Sequence, residues 1–367
     1  MKLPPTAFAI YALAGALVLP ASPAASRPLD RAAKLADTYV EAVAKLNQEQ
    51  ARKAQGTEED LAARLPRPAT AALEKLLALD PEETLESSLR RCATAALDLD
   101  RIADFAAVRA RIAALFPDRP GELPVALSRP RYLLIGENGL TVECLERFAA
   151  VLDAIFAAYD EVFGFAEWSK VPGKKLRFRI HLEPEITRPP HFAPQYEFHS
   201  EVDFPVIDAE KLSSPTPDGK FLFYGLCHEL GHVVAMWGDR QNEEDHHAWA
   251  HYTGVTIVEH LSAQEGFAEL AKDLRDARWR SLRAERDRLA GTKPALDSAD
   301  AVLATLIALH DAVGPRALGA AINHLDRQGK PARVNAVRYY SFRLLKEGLL
   351  ETLAAKKDRQ AVARILP

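Results

Sequence analysis

His228, Glu229 and His232 lie in the segment Phe221-Leu-Phe-Tyr-Gly-Leu-Cys-His-Glu-Leu-Gly-His-Val-Val-Ala-Met-Trp237, whose other residues are apolar or uncharged. An element apolar on all sides sits inside a protein, where an unsatisfied carboxylate or imidazole is costly. A bound cation satisfies all three groups. Residues four apart share one face of a helix, so the spacing sets His228 and His232 side by side for one metal ion, with Glu229 next to that face. Two imidazoles in this register can hold zinc, leave a coordination position for water, and let the carboxylate take a proton from that water. Gly231 costs a helix interior about 1 kcal/mol relative to Ala, which points to close backbone packing or to room beside the site. The competing reading is a buried helix whose histidines bond to other side chains without a metal.

The elements around this segment set the fold expectation. From about Pro28 to Phe116 apolar residues recur at three and four residue steps, as in Leu73, Leu76, Leu77 and Leu79, while Pro66, Pro68, Pro81, Pro117 and Pro120 divide the pattern into short amphipathic helices. After Pro130 the character changes. The run from Arg131 to Ile135 reads as a buried strand, Glu137 to Gly139 as a turn, and Thr141 to Phe163 as a long helix. Lys175 to Leu182 alternates and reads as a half-buried strand, a Pro-rich link runs from Pro184 to Pro194, and Tyr196 to Phe204 reads as an edge strand. A Pro and Ser-rich loop from Pro205 to Gly219 forms an expected cleft wall. Helices resume beyond Asp297, including Ala301 to Ala312 and Asn335 to Lys356, with breaks at Gly314-Pro315 and Gly329-Lys-Pro331.

The segment Cys227-His-Glu-Leu-Gly-His232 resembles the active-site helix of zincin metallopeptidases. The order of strand, helix, two strands and then this helix from 131 to 237 is similar to the catalytic half of that fold. The resemblance covers about 130 to 275. It implies an α+β, mostly helical chain with a small mixed sheet packed on the HExxH helix. Together with the residue patterns outside that region, the expected organisation is a signal peptide at 1–26, a helical region at 27–125, a zincin-like domain at 126–290 and C-terminal helices at 291–367.

A catalytic zinc usually has three protein ligands, so one more is expected after His232. Gluzincin-like proteins often supply a Glu that opens a helix, and related exported proteins carry Glu-Gly-Trp-Ala-His-Tyr. His247-Ala-Trp-Ala-His-Tyr252 resembles that form with His in place of Glu, which makes His247 the first choice. The exchange leaves the site one negative charge poorer. Glu265, in Glu265-Gly-Phe-Ala-Glu269, is the rival; were Asp245 to Leu274 one helix, it would stand roughly 27 Å from His247 at the standard rise. Glu244, Asp245 and His246 are further candidates, as ligands or as groups that orient an imidazole. His251 and Tyr252 read as half-buried aromatic residues that could also bond within the site, and Trp249 reads as core.

The implied activity is that of a zinc-dependent metallopeptidase-like hydrolase, in which zinc-bound water activated by Glu229 attacks a peptide carbonyl. The segment 196 to 204 could then hold an extended peptide or protein substrate by backbone pairing. The alternative is a non-catalytic, zinc-stabilised binding or scaffold protein. Hydrophobic residues make up 48% and charged residues 27%, with net charge -4, so no basic field for nucleic acid is present. Met1-Lys2, the apolar run Thr6 to Leu19 and the small residues up to Ser26 read as a cleaved export signal, too short for a spanning helix. The expected location is periplasmic or secreted, with no stable membrane insertion after cleavage. Of Cys92, Cys144 and Cys227, the first two could pair in an oxidising compartment.

Overall fold

The computed structural model describes residues 26–54, 65–98, 100–117, 124–137, 139–166, 175–182, 191–193, 201–206, 217–234, 236–237, 243–289, 299–334 and 337–366. All of the expected export segment but Ser26 lies outside these residues. Four helices come first: α1 (Ser26–Ala54), α2 (Arg67–Leu77), α3 (Glu86–Asp98) and α4 (Ile102–Leu115). In α1 the buried residues are Ala32, Ala36, Tyr39, Val43 and Leu46, alternate steps of four and three that place them on one stripe. That stripe packs with Leu73 and Leu76 of α2, Leu89, Cys92 and Ala96 of α3, and Phe105, Val108 and Ile112 of α4.

A five-stranded mixed sheet follows: β1 (Val125–Ser128), β2 (Tyr132–Gly136), β3 (Leu176–Leu182), β4 (His191–Ala193) and β5 (Glu201–Val206), in the order β1-β2-β3-β5-β4. Strands β2, β3 and β5 are parallel, and β1 and β4 run antiparallel to their neighbours. The helix α5 (Val142–Val162) makes the crossover from β2 to β3. It starts where the Thr141 side chain accepts a hydrogen bond from the Cys144 N–H. Successive strand residues point to opposite faces, so the unbroken apolar run of β2 serves two cores. Leu133 and Ile135 join the core of α1 to α4, whereas Tyr132 and Leu134 join the main core on the other side. In β3, Leu176, Phe178 and Ile180 face the main core, and Arg177 between them is buried. Its guanidinium donates to the Leu97 carbonyl and to Asp100 Oδ1, the latter at 2.9 Å.

The expected edge strand at 196 to 204 is corrected. Residues 201–206 form β5, which lies between β3 and β4, while 194–200 are outside the described residues. The outer strand is β4, inside the Pro-rich link, where three residues are too few for alternation to reveal a strand.

The apolar segment forms α6 (Pro217–Val234), followed by β6 (Met236–Trp237), α7 (Glu243–Leu261) and α8 (Ala268–Leu289). Leu222, Leu226 and Leu230 of α6 belong to the main core that β3 also joins, and α6 packs against strand β4 of the sheet. The C-terminal region holds α9 (Ala299–Val313), α10 (Pro315–Arg327), β7 (Ala332–Val334), β8 (Val337–Tyr340), α11 (Phe342–Thr352) and α12 (Lys356–Ile365). The expected helix from Asn335 to Lys356 is thereby corrected: its first part is a strand. Val334, Val337, Tyr339 and Tyr340 favour extended backbone, and Ser341 caps α11 by accepting from the Leu344 N–H. The strands β6, β8 and β7 form a second sheet in that order, tying the residues just after α6 to the C-terminal region. The fold is α+β and mostly helical. No single described helix is long and apolar enough to cross a membrane. All three cysteines are free, with Cys92 in the helical core and Cys144 at the start of α5, beside the main one.

Candidate metal centre

Helices α6 and α7 meet along small residues. A Cβ on Gly231 would stand 2.8 Å from Ala250 Cα, and one on Gly254 would stand 3.2 Å from the backbone nitrogen of His228. Close backbone packing is therefore what Gly231 serves. The Trp249 indole N–H donates to the Gly231 carbonyl at 3.1 Å and is fully buried, as expected for a core residue. From α5, the Tyr159 hydroxyl donates to the Cys227 carbonyl at 2.6 Å and braces α6 just before His228. Tyr224 lies beside His251, and His232 beside His247, so the two helices run antiparallel.

This packing brings His228, His232 and His247 together. Nε2 of His232 lies 3.2 Å from Nε2 of His228, and Nδ1 of His247 lies 3.4 Å from the same atom. One ligand nitrogen from each ring falls within 4.8 Å of the other two. Zinc bonds to imidazole at about 2.0 to 2.1 Å, so tetrahedral geometry requires nitrogens about 3.3 Å apart. Two of the three separations match that figure, and the residues present fit a zinc ion. Among the described residues these three form the one group of three or more His, Cys, Asp or Glu side chains converging in this way. The ring of His232 is buried, that of His228 half-buried and that of His247 exposed, so the cluster opens to solvent on one side.

Glu229 is 6% exposed, the same as His232, and follows His228 directly. The neighbouring Cys227 thiol is fully buried, and burial pushes it far above the usual thiol range, which keeps it protonated and poorly suited to a metal. Glu265 is placed elsewhere. Helix α7 stops at Leu261, and Glu265 is exposed in the following turn, where Gly266 takes a positive φ of 92°. The 14 residues from His247 to Leu261 span about 21 Å of helix, so Glu265 sits at the opposite end of α7. The backbones of Glu244, Asp245 and His246 open α7, and their side chains lie outside the described residues.

Two further histidines surround the centre, and they differ. His251 is half-buried, and its Nδ1 is hydrogen-bonded to the Tyr224 hydroxyl. Sequence reasoning missed Tyr224, although its place four residues before His228 puts it on the same face. Tyr252 is fully buried rather than half-buried, with its hydroxyl 3.0 Å from His310 Nδ1 behind α7. Burial lowers the pKa of His310 against the opposing pull of Asp311.

No protein-family model matches the chain, and no curated protein matches it. Among solved structures it is similar to an M1 zinc metallopeptidase from Deinococcus radiodurans, crystallised as a point mutant, with 14% identity and a TM-score of 0.36. The alignment covers 67% of this chain and 51% of that one, so the chain spans about half the length of that protein. An overlap this low leaves the functional reading to the geometry of the three histidines.

Proposed function

We propose that the chain is an exported zinc-dependent hydrolase that cleaves peptide bonds, with His228, His232 and His247 holding the metal and Glu229 acting as base. The observation that carries this reading is the spacing of the three imidazole nitrogens, at 3.2 and 3.4 Å from His228 outward. When bound there, zinc supplies Lewis acidity to a water and to a carbonyl oxygen. Glu229, fixed on α6 beside His228, takes a proton from the attacking water and passes it to the departing nitrogen. The outer strand β4 packs near α6 and offers its backbone to an extended chain. Export is supported by the pattern of residues 1–26, an apolar run behind Lys2 and ahead of small residues.

The test is zinc content by elemental analysis of protein purified without chelator or affinity metal, combined with a peptide library. About one zinc per chain, lost in His228→Ala, together with cleavage that disappears in Glu229→Gln, is the expected result. Zinc without cleavage would turn the reading to a zinc-stabilised binding protein. No zinc after dialysis against the metal would end the hydrolase reading.

A further inference from the structure

Helix α12 is held on the body of the protein by Val362, with Leu366 just beyond it, both in the main core, and it packs on α9 and α11. Its exposed residues are Lys356, Lys357, Arg359, Gln360, Ala363 and Arg364. At about 100° per residue the four cations fall within an arc of about 160°, turned away from Val362. Asp358, the one acid of the helix, is half-buried and lies on the inner side. One face therefore carries four positive charges and no negative one, in a chain whose net charge is -4.

Several cations elsewhere on the surface are compensated: Lys330 pairs with Glu347, Arg131 with Asp160 and Arg286 with Asp311. None of the four on α12 forms an ion pair among the described residues. Arg359 donates to the Leu353 carbonyl and Arg364 to that of Gln360, which leaves both charges unneutralised. The placement also works against the helix itself. Ala355 supplies no capping side chain, and Lys356 and Lys357 fill the first turn, where the macrodipole disfavours cations. Lys356 and Arg359 stand three residues apart on one side and repel. A negatively charged surface laid on this face offsets all of these costs.

The same face has no aromatic ring and no apolar side chain larger than that of Ala363. Protein interfaces centre on aromatic and apolar anchors, and single strands of nucleic acid on rings that stack with bases, so the face suits neither. An anionic bilayer asks only for positive charge spread along its plane, and a cluster of four or more Lys and Arg on an amphipathic helix supplies it. Val362 is committed to the core, so α12 does not turn its apolar side into lipid. We propose that the basic face of α12 docks the protein on anionic phospholipid headgroups, peripherally and without insertion. Docking of this kind is independent of zinc and of hydrolysis.

The test is the affinity of the full chain for phosphatidylcholine vesicles with and without phosphatidylglycerol. The apolar run Thr6 to Leu19 is present in every sample, so the ratio of the two affinities isolates the electrostatic part. At roughly fivefold per cation, the expected ratio exceeds roughly a hundred at low salt. It falls toward one at about 1 M salt, where the screening length is about 3 Å. Lys356→Gln, Lys357→Gln, Arg359→Gln and Arg364→Gln combined bring the ratio close to one, and each alone lowers it about fivefold. Gln is a good helix former, and circular dichroism checks that α12 is kept. The same loss of charge at exposed positions elsewhere, in Lys45→Gln, Arg67→Gln, Lys75→Gln and Lys272→Gln combined, leaves the ratio near that of wild type. A wild-type ratio near one overturns the proposal, as does a high ratio that survives the α12 substitutions or falls equally in the control. Capture by heparin or duplex DNA through the same four residues, with a vesicle ratio near one, overturns it in favour of a soluble polyanion.

Discussion

Gly231 of α6 lies so close to Thr253 of α7 that a methyl group on the glycine would stand 2.2 Å from the threonine hydroxyl oxygen. Alanine is intrinsically the better helix former by about 1 kcal/mol, so on propensity alone Gly231→Ala would stabilise α6. The overlap decides otherwise, because overpacking a close contact typically costs about 1 to 3 kcal/mol and here also meets Ala250 Cα. Gly231→Ala is expected to lower the urea midpoint and weaken zinc binding. Adding Thr253→Ala recovers only part of the loss, since the Ala250 backbone still obstructs the methyl group. A midpoint equal to wild type would show that the helices can separate at no cost.

Removing the metal should be felt as stability. A ligand bound only to the native state adds free energy that grows with concentration above its dissociation constant, by about 2.7 kcal/mol at a hundredfold excess. Chelator is therefore expected to lower the Tm of the wild type and leave that of His247→Ala nearly unchanged. Glu265→Gln should behave as wild type in zinc content, because Glu265 sits beyond the far end of α7. Zinc loss in Glu265→Gln would refute the assignment of His247.

Glu229→Gln preserves shape and hydrogen-bonding capacity while removing the base. The expected outcome is retained zinc and a turnover reduced by roughly 100 to 10,000-fold, the range for a lost general base. Parallel loss of metal and turnover would instead make Glu229 part of what holds the cluster together.

Stability should also respond to pH through His310. Burial lowers its folded pKa below the ordinary value near 6.5, so the unfolded chain binds more protons between the two values. The neutral ring's contribution is fully present above about pH 6.5 and is lost as pH falls toward the folded pKa. Urea denaturation of metal-free protein at pH 7.5 and 5.5 should show a smaller drop for His310→Gln than for wild type. Identical drops would mean that His310 titrates alike folded and unfolded.

The ion pair between Arg177 and Asp100 links the sheet to the helices beneath it. Arg177 is 1% exposed in its side chain, and Asp100 Oδ1 lies 2.9 Å from its Nη2. Asp100→Asn is expected to destabilise the fold by about 3 kcal/mol, the scale for leaving a buried charge without its partner. Denaturant unfolding measures it, and a change under 1 kcal/mol would mean that the Leu97 carbonyl and the Asp98 carboxylate, 3.9 Å from Nη1, suffice for the guanidinium.

The parts of this structure visible in the sequence are those whose physics is local. The apolar run of α6, the four-residue step from His228 to His232 and the long pattern of α5 all follow from helical period. Gly231 pointed to close packing or to room beside the site, and only the register of α7 decides for the former. The exclusion of Glu265 depends on where α7 stops, and Gly266 with its positive φ was the available signal. The second sheet was hidden because β6 has only two residues and pairs with a strand distant in the chain. The Tyr224 and His251 pair required the antiparallel register of α6 on α7, which no single helix encodes.

The two-sided burial of β2 has a consequence for maturation of the chain. Leu133 and Ile135 would face water if α1 to α4 were absent, and the buried guanidinium of Arg177 would lose its cover. The amino-terminal third therefore lines one face of the sheet. Proteolytic trimming that ends before Ala32 spares the stripe beginning there. Trimming that proceeds further would uncover an apolar sheet face directly behind the strand that leads into α5, and so loosen the brace Tyr159 provides to the metal helix.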